Sequence, residues 1–370
     1  MSLLATVIAK IISVKEPCRD TLECRVSATE CTWPLSIHTK ALRFKVQFSF
    51  DPAMRKAALL YNPDSGGSRK RRESELESVL GVLRAAGVES NLILTHSRTH
   101  AEEETRQALL AGCDTIFACG GDGTIHNIIQ VLATTDVALA VLPMGTANAL
   151  AHDLGLPMNV AGAAKAALTG TPRRVALGSI QYQDFEGKQG SRYFVVAAGV
   201  GVDAHLFYKL HLGAKHRLGM AAYYAKAWHL WFTYAMTRFQ VEYTETGSDH
   251  PQDSNLTELL GVRIRDFGGA LRELAPGASL DRNDVRLILC RTASRLAYLS
   301  YVTRVFLRQR WRVRDIDLVH ASKAICRYVS AADKSPHTKI YVEADGELLG
   351  TLPAEITAVP DALTLLFPTK

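Results

Sequence analysis

Three short apolar runs in this chain each break into a glycine-bearing loop. Ala57–Tyr61 ends in Asn62-Pro63-Asp64-Ser65-Gly66-Gly67, Thr115–Cys119 in Gly120-Gly121-Asp122-Gly123-Thr124, and Ala138–Leu142 in Pro143-Met144-Gly145-Thr146-Ala147-Asn148. Apolar runs of this length, bounded by turn residues, read as buried strands. Between the first two, Leu76, Val79, Leu80 and Leu83 recur at helical spacing before Gly87, and Ser90–Leu94 supplies a further strand. A second helix is expected to open at Glu102, Glu103 and Glu104, whose charges suit a helix amino end. Four strands separated by helices need crossover connections. The expectation is a doubly wound parallel sheet that binds its ligand at the strands' carboxyl ends.

Beyond about Thr171 the rhythm changes to short β-type runs: Tyr193–Ala197, Gln240–Tyr243, Leu260–Ile264, Val285–Cys290, Lys339–Glu343 and Leu363–Phe367. One helical stretch, about Leu218 to Tyr234, interrupts them. With 370 residues, 47% apolar and 22% charged, the chain can bury two cores. We expect an α/β domain over 54–170, with a C-terminal return over 357–370, and a β-sandwich domain over 171–356. Residues 1–53 do not share this pattern. Met54 opens a methionine-and-cation lead into the first strand, so either Met54 is the true start or 1–53 form a non-conforming extension.

Glycine lets the backbone approach a polyphosphate closely, and amides at a helix amino end supply donors and positive potential. Any one such loop is accounted for by a tight strand–helix turn. Three at successive strand ends are better accounted for by phosphate binding. Asp122, inside the middle loop, would repel phosphates unless it held a metal or took a proton, which points to phosphoryl transfer.

The run GGDGT after a strand, followed by PMGTANALAHDLGLP, resembles the diacylglycerol kinase catalytic-domain family, which also holds bacterial lipid kinases, sphingosine kinases and ceramide kinases. NPDSGG is similar to that family's first nucleotide loop. Later landmarks follow in order: AAGVGVDA (Ala197–Ala204), LAPGASLDRNDVRLILC (Leu274–Cys290) and VEADGELLGTLPAEI (Val342–Ile356). GGDGT also occurs in NAD kinases, but the PMGTAN loop and the late Asp-Gly-Glu argue against those. So does the lack of an Asn-x-Gly-x-Leu-Gly segment after the fourth strand.

The resemblance implies a fold shared by NAD kinases and diacylglycerol kinases, and ATP-dependent phosphorylation of a lipid hydroxyl. Diacylglycerol is the default acceptor. A sphingoid base or ceramide is the alternative, and a lipid or nucleotide binder without turnover the alternative of another class. It implies nucleotide contacts from Asn62, Pro63, Asp64, Ser65 and Gly66, from Thr95, from Gly120, Gly121, Asp122, Gly123 and Thr124, and from Gly145, Thr146 and Asn148. Glu347 would be the base for the lipid hydroxyl, with Asp345 supporting and Asp122 completing the catalytic set. Asp345-Gly346 is also a hairpin-turn signal, and the two readings are compatible.

Several acidic positions of the family pattern are missing. His126-Asn127 stands in place of Asn-Glu, Ala149 and Ala176 stand in place of Asp, and the turn Asp281-Arg282-Asn283 replaces Asp-Asp-Gly. Asn283 can adopt the left-handed backbone that glycine would supply, but Arg282 cannot bind a cation. No structural metal is expected at this turn. Mg²⁺ would arrive with ATP, and Asp153 or Asp203 would compensate for the lost carboxylates.

The net charge of +6 is too small to distinguish anionic partners from plain solubility. Seven cysteines without a CxxC pair read as reduced thiols. The opening MSLLATVIAKIISVK is a poor signal peptide, and no 20-residue uncharged apolar run exists. The expected setting is cytoplasmic and peripheral at a membrane, as a monomer or an oligomer. From Ala204 to Glu242 five cations face one acid, interleaved with Tyr223, Tyr224, Trp228, Trp231 and Phe232, which suits an anionic lipid surface. Arg304, Arg308, Arg310, Arg312 and Arg314 around Trp311 form a second basic cluster; a solvated helix face explains either run as well. No nucleic-acid motif accompanies them.

Overall fold

The computed structural model describes residues 54–63, 69–202, 204, 236–269, 272–309, 311–329 and 339–369. Outside these lie the expectations placed on 1–53, on Asp64, Ser65 and Gly66, on Asp203, on the interfacial stretch through 205–235 and on Arg310.

The first half alternates β1 (Lys56–Tyr61), α1 (Arg69–Ala85), β2 (Glu89–Leu94), α2 (Arg98–Leu110), β3 (Thr115–Gly120), α3 (Asp122–Leu132), β4 (Ala138–Pro143), α4 (Ala149–Asp153) and α5 (Val160–Leu168). The strands run parallel in the order β2-β1-β3-β4. β3 and β4 are buried along their whole length, which is why they are continuously apolar. Leu76, Val79 and Leu83 of α1 pack with Val160, Ala163 and Ala164 of α5 on one face of this sheet, while Ile125, Ile128 and Ile129 of α3 cover the other.

Helix α2 begins four residues before the expected Glu102. The Ser97 hydroxyl accepts the amide of His100 and caps the helix there, leaving the glutamates past the first turn.

The second half is β-rich: β5 (Thr171–Gln183), β6 (Gln189–Phe194), β7 (Ala197–Gly201), β8 (Phe239–Glu245), β9 (Pro251–Leu256), β10 (Glu258–Val262), β11 (Val285–Cys290), α6 (Arg295–Phe306), β12 (Ile316–Tyr328), β13 (Tyr341–Ala344) and β14 (Glu347–Phe367). Their inward side chains, among them Ile180, Phe194, Val200, Phe239, Leu287, Ile340 and Leu352, form a separate core. The architecture is a parallel α/β sheet joined to a β-sandwich. The join is β14, which lies antiparallel to β5 and ends parallel to β4, Thr364 opposite Ala138.

Four elements of the second half escape the sequence pattern. β5 opens on exposed Pro172, Arg173 and Arg174, β9 is nearly all polar, β12 alternates weakly, and α6 is amphipathic with leucines facing outward. The expected strand Tyr193–Ala197 is two strands. The amides of Val195, Val196 and Ala197 donate to the carboxylate of Asp345 at 3.1, 2.9 and 3.1 Å instead of continuing one ladder.

Candidate active site

The middle and third glycine loops touch backbone to backbone at the carboxyl ends of β3 and β4. The Met144 amide donates to the Gly120 carbonyl at 3.0 Å. A Cβ on Gly121 would come to 3.1 Å of Cα of Gly145, and one on Gly145 would collide with Gly121. Neither loop tolerates a side chain here. Asn148 holds the third loop closed from a left-handed backbone at φ 51°. Its Oδ1 accepts the Gly145 amide at 2.8 Å and its Nδ2 donates to the Gly145 carbonyl at 3.1 Å.

The carboxylate of Asp122 accepts the amides of Ala149 at 3.1 Å and Leu150 at 3.3 Å, the first turn of α4. It links the two loops and satisfies amides that no other side chain caps. Among the described residues these contacts position the start of α4 against the middle loop. No side chain caps α3 at Gly121, so the first turn of that helix keeps amides for a ligand.

The hairpin between β13 and β14 enters from the other half. Asp345 and Gly346 have φ of 47° and 85° and form its two-residue turn, with Ala344 opposite Glu347. The turn sends the two carboxylates in different directions. Asp345 points inward, its side chain fully buried, and besides the three amides it meets Nδ1 of His126 on α3 at 3.2 Å. Glu347 points across the cleft. A Cβ on Gly123 would lie 3.2 Å from its Oε1, and its Oε2 meets the guanidinium of Arg98 at 3.3 Å. Glu347 is thus the accessible carboxylate beside the middle loop, its side chain 41% exposed.

Asn62 and Pro63 sit half-buried at the end of β1, and buried Thr95 lies next to them, its amide donating to the Tyr61 carbonyl at 2.8 Å. Thr146 is exposed at the tip of the third loop. Cavities open on both sides: about 700 Å³ lined by Tyr61, Pro63, Leu92, Leu94 and His96, and about 540 Å³ lined by Arg72, Met144, Gly145 and Asn148. Arg98, His126 and Arg72 were not singled out as site residues. Arg98 carried a usable signal, a cation just past the end of a parallel strand. His126 carried none, because its partner is 219 residues away.

The Asp281-Arg282-Asn283 turn is built around cationic side chains. Asn283, which could adopt a left-handed backbone, does not take it. Arg263, 1% exposed, donates to the carbonyls of Ala176 at 2.9 Å and Arg282 at 2.8 Å and to that of Asp284. Burial lowers its pKa to about 10, so it remains a cation at neutral pH. Burial alone would raise the Asp284 carboxyl, but bonds from Arg282, Thr246 and His320 hold it at about 2. The Asp153 carboxylate accepts the amides of Arg265 at 2.9 Å and Asp266 at 2.8 Å, and burial raises its pKa. Asp153 therefore braces the loop after β10 and, among the described residues, makes no contact with the glycine loops.

The chain is similar to known proteins over most of its length. The profile of the "Diacylglycerol kinase catalytic domain" matches residues 56–180, and that of the "YegS C-terminal NAD kinase beta sandwich-like domain" matches 195–367. The chain is 28% identical over 321 residues to the diacylglycerol kinase of Bacillus subtilis, covering 85% of this chain and 97% of that one. It is 29% identical over 304 residues to the diacylglycerol kinase of Staphylococcus haemolyticus, covering 81% and 85%. The fold matches a crystal structure of a diacylglycerol kinase from Bacillus anthracis with a TM-score of 0.60 at 19% identity, over 85% of this chain and 97% of that one.

Proposed function

We propose that this chain, which belongs to the diacylglycerol kinase catalytic-domain family, transfers the γ-phosphoryl group of ATP to a hydroxyl of diacylglycerol, with Glu347 as the base. It is a lipid kinase, and ATP is its donor. The observation that carries the role of Glu347 is its place across the cleft, with Oε1 against Gly123 of the middle loop and Oε2 on Arg98.

The residues present fit a nucleotide. The uncapped amides of α3 and the bare backbone contact of Gly121 with Gly145 leave donors and room for phosphates. Gly120, Gly123 and Thr124 complete the middle loop, Thr146 borders the third, and Asn62, Pro63 and Thr95 border the first. The first loop's Asp64, Ser65 and Gly66 belong to the same proposal on sequence grounds.

The lipid oxygen attacks the γ-phosphorus, the bond from that phosphorus to the bridging oxygen breaks, and ADP departs. Glu347 takes the hydroxyl proton as the new P–O bond forms. Asp345 and Asp122 hold the hairpin and the loops in register. Mg²⁺ is proposed to come with ATP, as phosphoryl transfer from a nucleotide requires its charge to be screened. When bound, it offsets phosphate charge.

The test is transfer of labelled γ-phosphate to a panel of diacylglycerol, sphingoid base and ceramide. Wild type should label diacylglycerol, and Glu347→Gln should lower kcat by about 10²-fold or more. ATP binding without any lipid product would overturn the reading in favour of a binder, and labelling of another acceptor would reassign the substrate.

A further inference from the structure

The basic cluster around Trp311 is not used by the reaction. Residues 295–314 hold six arginines and no acidic residue, in a chain of 43 cations and 37 acids. Such one-sided charge suits an anionic partner. The structure divides these residues into two features that lie side by side.

The first is a cavity of about 300 Å³ between the loop after β10 and the end of α6, lined by Arg265, Arg272, Arg304 and Arg308 together with Asp266 and Glu273. Asp266 is taken by Arg272 at 2.8 Å. The side chains of Arg265 and Arg308 form no salt bridge among the described residues, and the charge of Arg265 also acts on nearby Asp153. Arg304 is only 8% exposed, with its guanidinium 4.3 Å above the ring of Tyr301 and Nη1 donating to the Trp311 carbonyl at 3.4 Å. Its Nη2 is buried without a hydrogen-bond partner among the described residues. A buried guanidinium with donors left over, and cations around it, is a receptor for an oxyanion such as phosphate.

The second is the outward face of α6. Leu296, Leu299, Thr303 and Leu307 follow at i, i+3, i+7 and i+11, and the three leucines are 77%, 39% and 51% exposed. Trp311 is 41% exposed just beyond them, next to exposed Arg312. Leucines and a tryptophan facing water, flanked by arginines and backed by a phosphate-sized cavity, match the layered chemistry of an anionic bilayer: acyl carbon, interface, headgroup phosphate.

We infer that α6 and the loop after β10 form a docking face for an anionic lipid bilayer, with Leu296, Leu299, Leu307 and Trp311 entering the interface. A headgroup phosphate is received by Arg304, Arg265 and Arg308. The inference rests on the lipid-kinase reading for the nature of the surface.

The test is sedimentation of the full chain, without nucleotide, with phosphatidylcholine vesicles that do or do not contain phosphatidylglycerol. Wild type should bind the anionic vesicles and not the neutral ones. Arg308→Glu/Arg312→Glu should lower the partition by about tenfold or more, and Leu296→Ser/Leu307→Ser by a similar factor. All four positions are exposed, so the circular dichroism and melting of both variants should match wild type. Arg304→Gln should weaken binding further when added to either pair.

Variants that bind as wild type does would overturn the assignment. So would a wild type that ignores vesicles while inorganic phosphate raises its melting temperature and not that of Arg304→Gln, since the cavity would then serve a soluble phosphate. Normal vesicle binding with no lipid phosphorylation leaves this inference standing and removes the kinase reading instead.

Discussion

Nδ1 of His126 lies 3.2 Å from Oδ2 of Asp345, and both side chains are fully buried. This contact joins the helix that follows the middle glycine loop to the hairpin that carries Glu347. A carboxylate can only accept, so the imidazole donates, and Asp345 ends with four donors: one ring and three amides. A group so fully engaged sets the place of its neighbour Glu347 and is a poor base itself.

Asp345→Asn should therefore behave as a positioning mutant. It loses an acceptor facing buried amides, which costs about 2–4 kcal/mol of stability by denaturant titration. Its kcat should fall together with that loss of stability. Glu347→Gln should lower kcat with little change in stability. The reverse pattern would make Asp345 the base.

Gly145→Ala tests the loop contact. Its Cβ would lie 2.8 Å from Oδ1 of Asn148 and collide with Gly121, so one loop must withdraw. We expect KM for ATP to rise about tenfold or more, worth ~1.4 kcal/mol. Gly121→Ala, whose Cβ meets Gly145 at 3.1 Å, should cost less. Equal KM values for wild type and Gly145→Ala would exclude this loop from the nucleotide site.

Arg98→Ala should separate activity from stability. The pair with Glu347 is partly exposed on both sides, 34% and 41%, so its loss should change stability by less than about 1 kcal/mol. Without that anchor Glu347 samples more orientations, and kcat should drop about tenfold with KM for ATP nearly constant. Arg98→Lys should recover part of the loss, because an ammonium keeps the charge without the planar fork.

Acid should act through the turn below the sandwich. Asp284 is held at about 2 in the folded chain against an ordinary 3.8, so its contribution is complete above that ordinary value and is lost as pH falls through about 2. Asp153 runs the other way: its carboxyl is raised by burial, so ionising it costs stability as pH rises through the carboxylate range. Thermal melts across acid pH should show Asp284→Asn losing less stability than wild type below pH ~4. Arg263→Leu leaves three carbonyls unsatisfied and should cost at least about 3 kcal/mol, which added Mg²⁺ should not restore.

The parallel sheet was legible in the sequence because β1, β3 and β4 are buried on both faces and must be apolar throughout. The sandwich was legible only in part. β5 and β9 owe their strands to pairing partners, and their exposed polar residues carry no pattern of their own. Helix α6 was hidden for a related reason, since its outward leucines blur the apolar stripe.

The glycine loops, their order and the late Asp-Gly-Glu were set by local chemistry: a strand end, a bare backbone and a two-residue turn each need particular residues within a few positions. Those features carry the resemblance to the family from the chain alone. What each carboxylate does was decided by tertiary structure. Asp122, Asp345 and Glu347 are equally acidic as letters, yet one braces α4, one is buried against His126 and three amides, and one faces the middle loop beside Arg98. Their partners lie 27 to 249 residues away, and only the packed fold brings those groups within hydrogen-bonding distance.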